Sequence, residues 1–192
     1  MFKLGTSEIM TTLLNGVNVD KLGKLIESVR HDPALGRLEF RVSSQWKGGF
    51  RTQHTTAAYT FGTATSEHLR NHSFESDEPE RILGTDAGIS PSEIILSALS
   101  ACLAVGWAAN AAAMGIELES LRLEVTGEGD IQGFMNLNDV RAGLSNISVR
   151  AHVHSSAPKE KLEALHEYVI SHSPMWDTIA SPVDVRSELV IP

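Results

Sequence analysis

What this chain has little of excludes more than what it has in quantity. One cysteine, Cys102, stands among 192 residues, so no intramolecular disulfide framework can form. Basic residues are outnumbered, with 16 Lys and Arg against 24 Asp and Glu, giving a net charge of −8 and a pI near 5.4. That balance lacks the positive footprint of a phosphate-binding surface, and no nucleic-acid partner is expected. Glycines occur in two tight groups, Gly48-Gly49 and Gly84-Thr85-Asp86-Ala87-Gly88, and neither has the spacing of a P-loop or a dinucleotide fingerprint. There is no G-x-S-x-G elbow. The opening residues, MFKLGTSEIM, lack the apolar core of a secretory signal, which makes the cytoplasm the expected compartment. A lone thiol there stays reduced.

Charge is absent over one long stretch. No Asp, Glu, Lys or Arg lies between Glu93 and Glu117, and Cys102 sits near the middle of that run. Ser90 at an N-cap position, Pro91 at the first helical position and Glu93 three residues after the cap form a helix-entry signature. Met114-Gly115 supplies the exit. The run is long enough for a membrane span. Its composition of Ala, Ser, Gly and Asn, its lack of a basic flank and the two closing glutamates instead predict a soluble helix buried on most sides. No membrane partner is expected. Small side chains also predict that a second helix crosses it closely.

The rest is ordinary for a globular protein, at 42% apolar and 21% charged residues. Residues 1–16 are polar and weakly patterned and are expected to form an arm. Val19, Leu22, Leu25, Ile26 and Val29 fall on one face of a helix over Val17 to Arg30, which His31-Asp32-Pro33 stops. Strands are expected at Leu38–Trp46 and Arg51–Phe61, joined by Lys47-Gly48-Gly49, followed by a loop-rich segment to residue 90. After the long helix, Leu121–Gly127 and Ile147–Val153 alternate as strands around an irregular connection at 128–143. Pro158–Ile170 reads as an amphipathic helix capped by Ser155 or Ser156, and Ser173-Pro174 ends it. A last strand is expected over Val183–Val190. Blocks of strands and helices, without regular βαβ units, predict an α+β fold. The chain is read as an arm and helix over 1–36 and a domain over 37–192.

Eight histidines raise the question of a metal. His152 and His154 share one face of a strand, but no Cys, Asp or Glu stands beside them at ligand spacing, and His166 and His172, six apart, pair poorly on a helix. No metal and no cofactor is expected. Read from position alone, Cys102 is a small buried apolar residue, Glu93 a capping-box member, Arg51 a strand-surface charge and Ser173 the end of a helix.

At SPSEIILSALSACL the sequence resembles the OsmC/Ohr family of osmotically inducible and organic-hydroperoxide-resistance proteins. QWKGGFR (45–51), SDEPERILGTDAGISPSE (76–93), Ala112-Ala113-Met114-Gly115-Ile116, residues 141–154 and HSPMWDTIASPVDV (172–185) extend the likeness over about residues 38–190. The helix at 17–31 is an addition found in some larger relatives. The resemblance implies an OsmC-like fold, with long central helices packed between antiparallel sheets in an intertwined homodimer. It further implies that a helix cysteine attacks an organic hydroperoxide, that a second cysteine resolves the sulfenic acid, and that an Arg and a Glu assist. Carried over residue by residue, Cys102 takes the peroxidatic position and Arg51 the activating one. The resolving position falls on Ser173 and the assisting Glu on Ser92. Glu93 is adjacent, but nine residues turn a helix by about 900°, which sets it opposite Cys102. The expected function is therefore a single-cysteine, thiol-dependent peroxidase that takes an external thiol as reductant. The alternative is a lapsed enzyme that binds a hydrophobic small molecule at the dimer interface.

Overall fold

The structure is a computed structural model that describes residues 13–191. Most of the arm expected over residues 1–16 lies outside the described residues, and its last residues begin a small hairpin. In that hairpin β1 (Leu13–Leu14) pairs with β2 (Val17–Asn18) through a turn in which Asn15 and Gly16 both have positive φ. Two compact units follow from the contacts, one ending at Ile95 and one beginning at Leu96.

In the N-terminal unit, helix α1 (Val19–His31) starts where the Asn18 side chain accepts the Lys21 N–H at 2.8 Å. Asp32 closes it, and the same residue opens a short 3-10 turn at Pro33–Gly36. Of the expected apolar face, Val19, Leu22 and Val29 are half-buried, whereas Leu25 and Ile26 are exposed. The strands expected at 38–46 and 51–61 each break in two. β3 (Leu38–Glu39), β6 (Tyr59–Phe61) and β7 (Ala64–Ser66) form one antiparallel sheet in the order β3-β6-β7. β4 (Val42–Gly48), β5 (Arg51–Thr56) and β8 (Ser73–Ser76) form another in the order β4-β5-β8. Gly48 and Gly49, at φ of 99° and 59°, make the β4–β5 turn in a conformation that other residues adopt only at a cost. The segment expected to be loop thus contributes two strands, short and polar enough to escape a periodicity argument. Among the described residues of this unit no apolar side chain is buried, while Ser76, Asp77 and Ser90 are.

Helix α2 (Pro91–Ala113) carries the long run without charge after Glu93 and is two residues shorter at its C-terminus than the sequence signals. Gly115, at φ 68°, ends the segment as a left-handed residue. The C-terminal unit is built on its length from Leu96 onward. Leu99, Leu103, Trp107 and Ala111, four residues apart, form one buried stripe. That stripe packs with Leu165 and Val169 of α4 (Lys159–Ser171) and with the inner faces of β9 (Ser120–Glu128) and β10 (Asn146–His154). β9 and β10 pair antiparallel over nine residues each, and their strict alternation sends Leu121, Leu123, Val125, Val149, Ala151 and Val153 inward.

Four details differ from the sequence reading. The long helix is not buried on most sides in the single chain, since Val105 is 69% exposed. The connection after β9 contains a single helical turn, α3 (Ile131–Phe134), capped by Asp130. No side chain caps α4, because Pro158 occupies the cap position, while Ser155 turns its hydroxyl to the Glu117 carbonyl. The strand expected over Val183–Val190 does not form. Alternation is there, but a strand also needs a neighbour for its backbone groups, and among the described residues none pairs with residues 182–191.

Candidate active site around Cys102

Cys102 is half-buried on α2, one residue before the buried Leu103. Its sulfur receives a hydrogen bond from the Ser173 hydroxyl at 3.4 Å, across 71 residues of sequence. Ser173 does not simply end a helix. It is the N-cap of the next one, α5 (Pro174–Ala180), where its Oγ accepts the Trp176 N–H at 3.2 Å. Two further contacts tie α4 to α2. A Cβ on Gly106 would lie 3.0 Å from Val169 Cγ1, and the Trp107 and His166 rings stack with centroids 5.8 Å apart. The contact pairs Trp107–His166, Gly106–Val169 and Cys102–Ser173 run in opposite senses along the two segments. The close helix crossing that small side chains predict is α4, and its antiparallel direction delivers Ser173 to the cysteine.

Arg51 opens β5 in the N-terminal unit, and its guanidinium donates to Glu75 of β8 at 2.9 Å. That hydrogen bond and the charge behind it raise the Arg51 pKa. The Arg51 Nε is buried with no hydrogen-bond partner among the described residues. Sequence reasoning singled out Arg51 and missed Glu75, because 24 residues separate them and only the β5–β8 register, Gln53 opposite Glu75, brings them together. Glu93 is the capping-box residue that position alone suggests. It accepts the Ser90 N–H at 3.0 Å and donates its own N–H to the Ser90 hydroxyl at 3.2 Å. Ser92 is exposed.

The segment before α2 is held by a buried carboxylate. Asp77, 1% exposed, accepts the Thr85 hydroxyl at 2.6 Å, the Thr85 N–H at 2.9 Å, the Ala87 N–H at 3.2 Å and the Glu78 N–H at 2.8 Å. The Thr85 hydroxyl leads these donors in lowering its pKa to about 2. Burial pushes the neighbouring Glu78 up, reinforced by the charges of Asp77 and Glu93. Gly84 and Gly88 let the loop fold back, since a Cβ at either would overlap the backbone at Glu78 or Glu75.

Several of the histidines find polar partners in the fold. His54 bridges Ser44 at 2.9 Å and Ser76 at 2.8 Å. His152 meets Glu124 at 2.9 Å and His154 meets Glu119 at 3.0 Å, so carboxylates do stand beside this pair, supplied by the neighbouring strand and the segment leading into it. Among the described residues no group of three potential metal ligands gathers.

One thiol stands on the long core helix, with the Ser173 hydroxyl at the position where the family likeness leads one to expect a second thiol. The family model described as OsmC-like protein matches residues 84–188, more than half of the sequence, and the chain belongs to that family. No curated protein matches it. Among solved structures, an OsmC-like protein from Mycoplasma pneumoniae is similar at 19% identity and a TM-score of 0.56, over 74% of this chain and 87% of that one. An OsmC-like protein of unknown function from Vibrio cholerae is similar at 15% identity and a TM-score of 0.52, over 73% and 92%. The organic hydroperoxide resistance protein OhrB of Bacillus subtilis is a weaker likeness, at 18% identity and a TM-score of 0.47, over 77% and 95%. The first two likenesses establish the fold, an α+β arrangement with antiparallel sheets.

Proposed function

We propose that the protein is a single-cysteine, thiol-dependent peroxidase of the OsmC-like family, with organic hydroperoxides as substrate. The observation that carries this reading is the contact of Cys102 with Ser173, a hydroxyl donor set against the only thiol. The Cys102 thiolate attacks the distal peroxide oxygen, the O–O bond breaks, and the leaving alkoxide takes a proton to become an alcohol. The sulfur is left as sulfenic acid. Ser173 has no thiol with which to form an internal disulfide, so an external thiol condenses with the sulfenic acid and releases water. A second equivalent then returns Cys102 and carries away the disulfide. Arg51, held by Glu75, is the proposed assisting cation.

A homodimer is part of the proposal. Large apolar side chains that a lone chain leaves in water support it, among them Trp46 at 71%, Phe40 at 68% and Val105 at 69% exposed. The proposed compartment is the cytoplasm, where free thiol reductants are available.

The test is intact mass of the reduced protein after one equivalent of cumene hydroperoxide, with hydrogen peroxide in parallel. A rapid gain of one oxygen at Cys102, reversed by a dithiol and faster with the organic peroxide, is the expected result. Cys102→Ser abolishes peroxide consumption and leaves the fold intact. No adduct at matched exposure rejects the enzyme and favours the second reading, a lapsed family member that binds a hydrophobic small molecule. The substitution of Ser92 for the assisting glutamate favours that alternative.

A further inference from the structure

We infer that Ser173 is a positioning residue for the Cys102 sulfur, its hydroxyl proton committed to that sulfur by the helix cap it forms. This rests on the reading of Cys102 as the reacting thiol. Ser173 is only 5% exposed, so each of its polar groups has to find a partner within the protein. Its N–H donates to the Ile170 carbonyl at 3.2 Å, and its carbonyl accepts the Asp177 N–H at 3.0 Å. Its Oγ accepts the Trp176 N–H at 3.2 Å. The hydroxyl proton is what remains, and the Cys102 sulfur, 3.4 Å away, receives it.

The cap therefore does two things. It starts α5, and it fixes which way the hydroxyl turns. A hydroxyl anchored as an acceptor on one side cannot swing away from the sulfur without giving up the Trp176 N–H. A hydroxyl donor bonds an anionic acceptor more strongly than a neutral one, and the thiolate is the nucleophilic form of any cysteine. The hydroxyl itself makes and breaks no covalent bond.

The test separates the donor from the cap and does not use a peroxide. Alkylation of Cys102 by iodoacetamide at pH 7 is followed in the wild-type protein, Ser173→Ala and Ser173→Thr, with circular dichroism as the check on folding. Ser173→Ala is expected to react roughly three- to tenfold more slowly, the effect of losing one hydrogen bond to a charged group. Ser173→Thr, which keeps both cap and donor, is expected within about twofold of wild type. Ser173→Ala reacting at the wild-type rate overturns the inference.

Ser173→Cys supplies an arm that does not depend on the alanine variant folding. Treated with diamide, which takes up the two hydrogens, it is expected to lose two hydrogens within one chain as Cys102 and the new thiol close from this contact to a disulfide of about 2.05 Å. Two persistent free thiols overturn the geometry. A protein that passes both arms but never takes oxygen from cumene hydroperoxide refutes the peroxidase reading and leaves the role of Ser173 standing.

Discussion

The carboxylate of Asp77 and the hydroxyl of Thr85, eight residues apart, are joined by a 2.6 Å hydrogen bond that holds the loop before the long helix. Three backbone N–H groups complete the clamp on the same carboxylate. Its consequence for stability has a definite sign. The folded-state pKa, about 2, lies below the ordinary aspartate value of about 3.9, so the clamp stabilises the fold fully above that ordinary value. The contribution fades as pH falls from about 4 toward 2. Thermal melting from pH 6 down to pH 2 is expected to show that loss, and Asp77→Asn to melt several degrees lower at pH 7 with a much flatter acid limb. An unchanged acid limb in the variant would clear Asp77 of the role.

Gly106 faces Val169 across the contact between α2 and α4. Alanine at this position raises helix propensity by up to about 1 kcal/mol, but its Cβ would meet Val169 Cγ1 at 3.0 Å, and Val169 is 1% exposed. Overpacking in a site that cannot yield costs about 1–3 kcal/mol, so Gly106→Ala is expected to destabilise by about 1 kcal/mol net. In the Val169→Ala background the same change is expected to become stabilising. Urea denaturation of the four members of the cycle measures the reversal.

In the proposed chemistry Arg51 and Glu75 act as a pair. Arg51→Ala is expected to slow oxidation of Cys102 by cumene hydroperoxide by more than roughly tenfold, the usual scale for losing a charged assisting group. Glu75→Gln, which keeps the arginine and loosens its anchor, is expected to have a smaller effect in the same direction. Single-turnover mass spectrometry reads both. Equal rates in all three proteins would reduce the pair to a cross-strand ion pair, whose side chains are 42% and 37% exposed.

Sedimentation velocity at micromolar concentration is expected to give the mass of two 20.8 kDa chains. Val105→Lys, which sets a charge on the exposed side of α2, is expected to shift that species toward one chain. A wild-type protein that sediments as a single chain contradicts the proposed homodimer.

The long helix was legible to within two residues because its punctuation is chemical: a serine cap, a proline, a glutamate and a glycine each satisfy a terminal requirement of the helix. The two nine-residue strands were legible because one face packs on that helix, which imposes strict alternation. The strands at 64–66 and 73–76 were not, since they are short, polar and held mainly by backbone pairing that leaves no pattern in the side chains. Val183–Val190 failed in the opposite way, with a pattern present and no sheet among the described residues to receive it. At the site, Cys102 was conspicuous as the lone cysteine. Ser173 came from family likeness, and its contact from the fold. Glu75 gave no signal, because β8 pairs with β5 only after β6 and β7 have intervened in sequence, a register that spacing does not encode.

With its sulfur at one place on α2, the chain carries a built-in stoichiometric reporter. Every thiol equivalent that disappears under oxidant, and every label that a thiol reagent leaves behind, maps to Cys102 and to no other side chain. A fluorophore or spin label attached there reports on the α2–α5 contact with no background to subtract and no cysteine to remove beforehand.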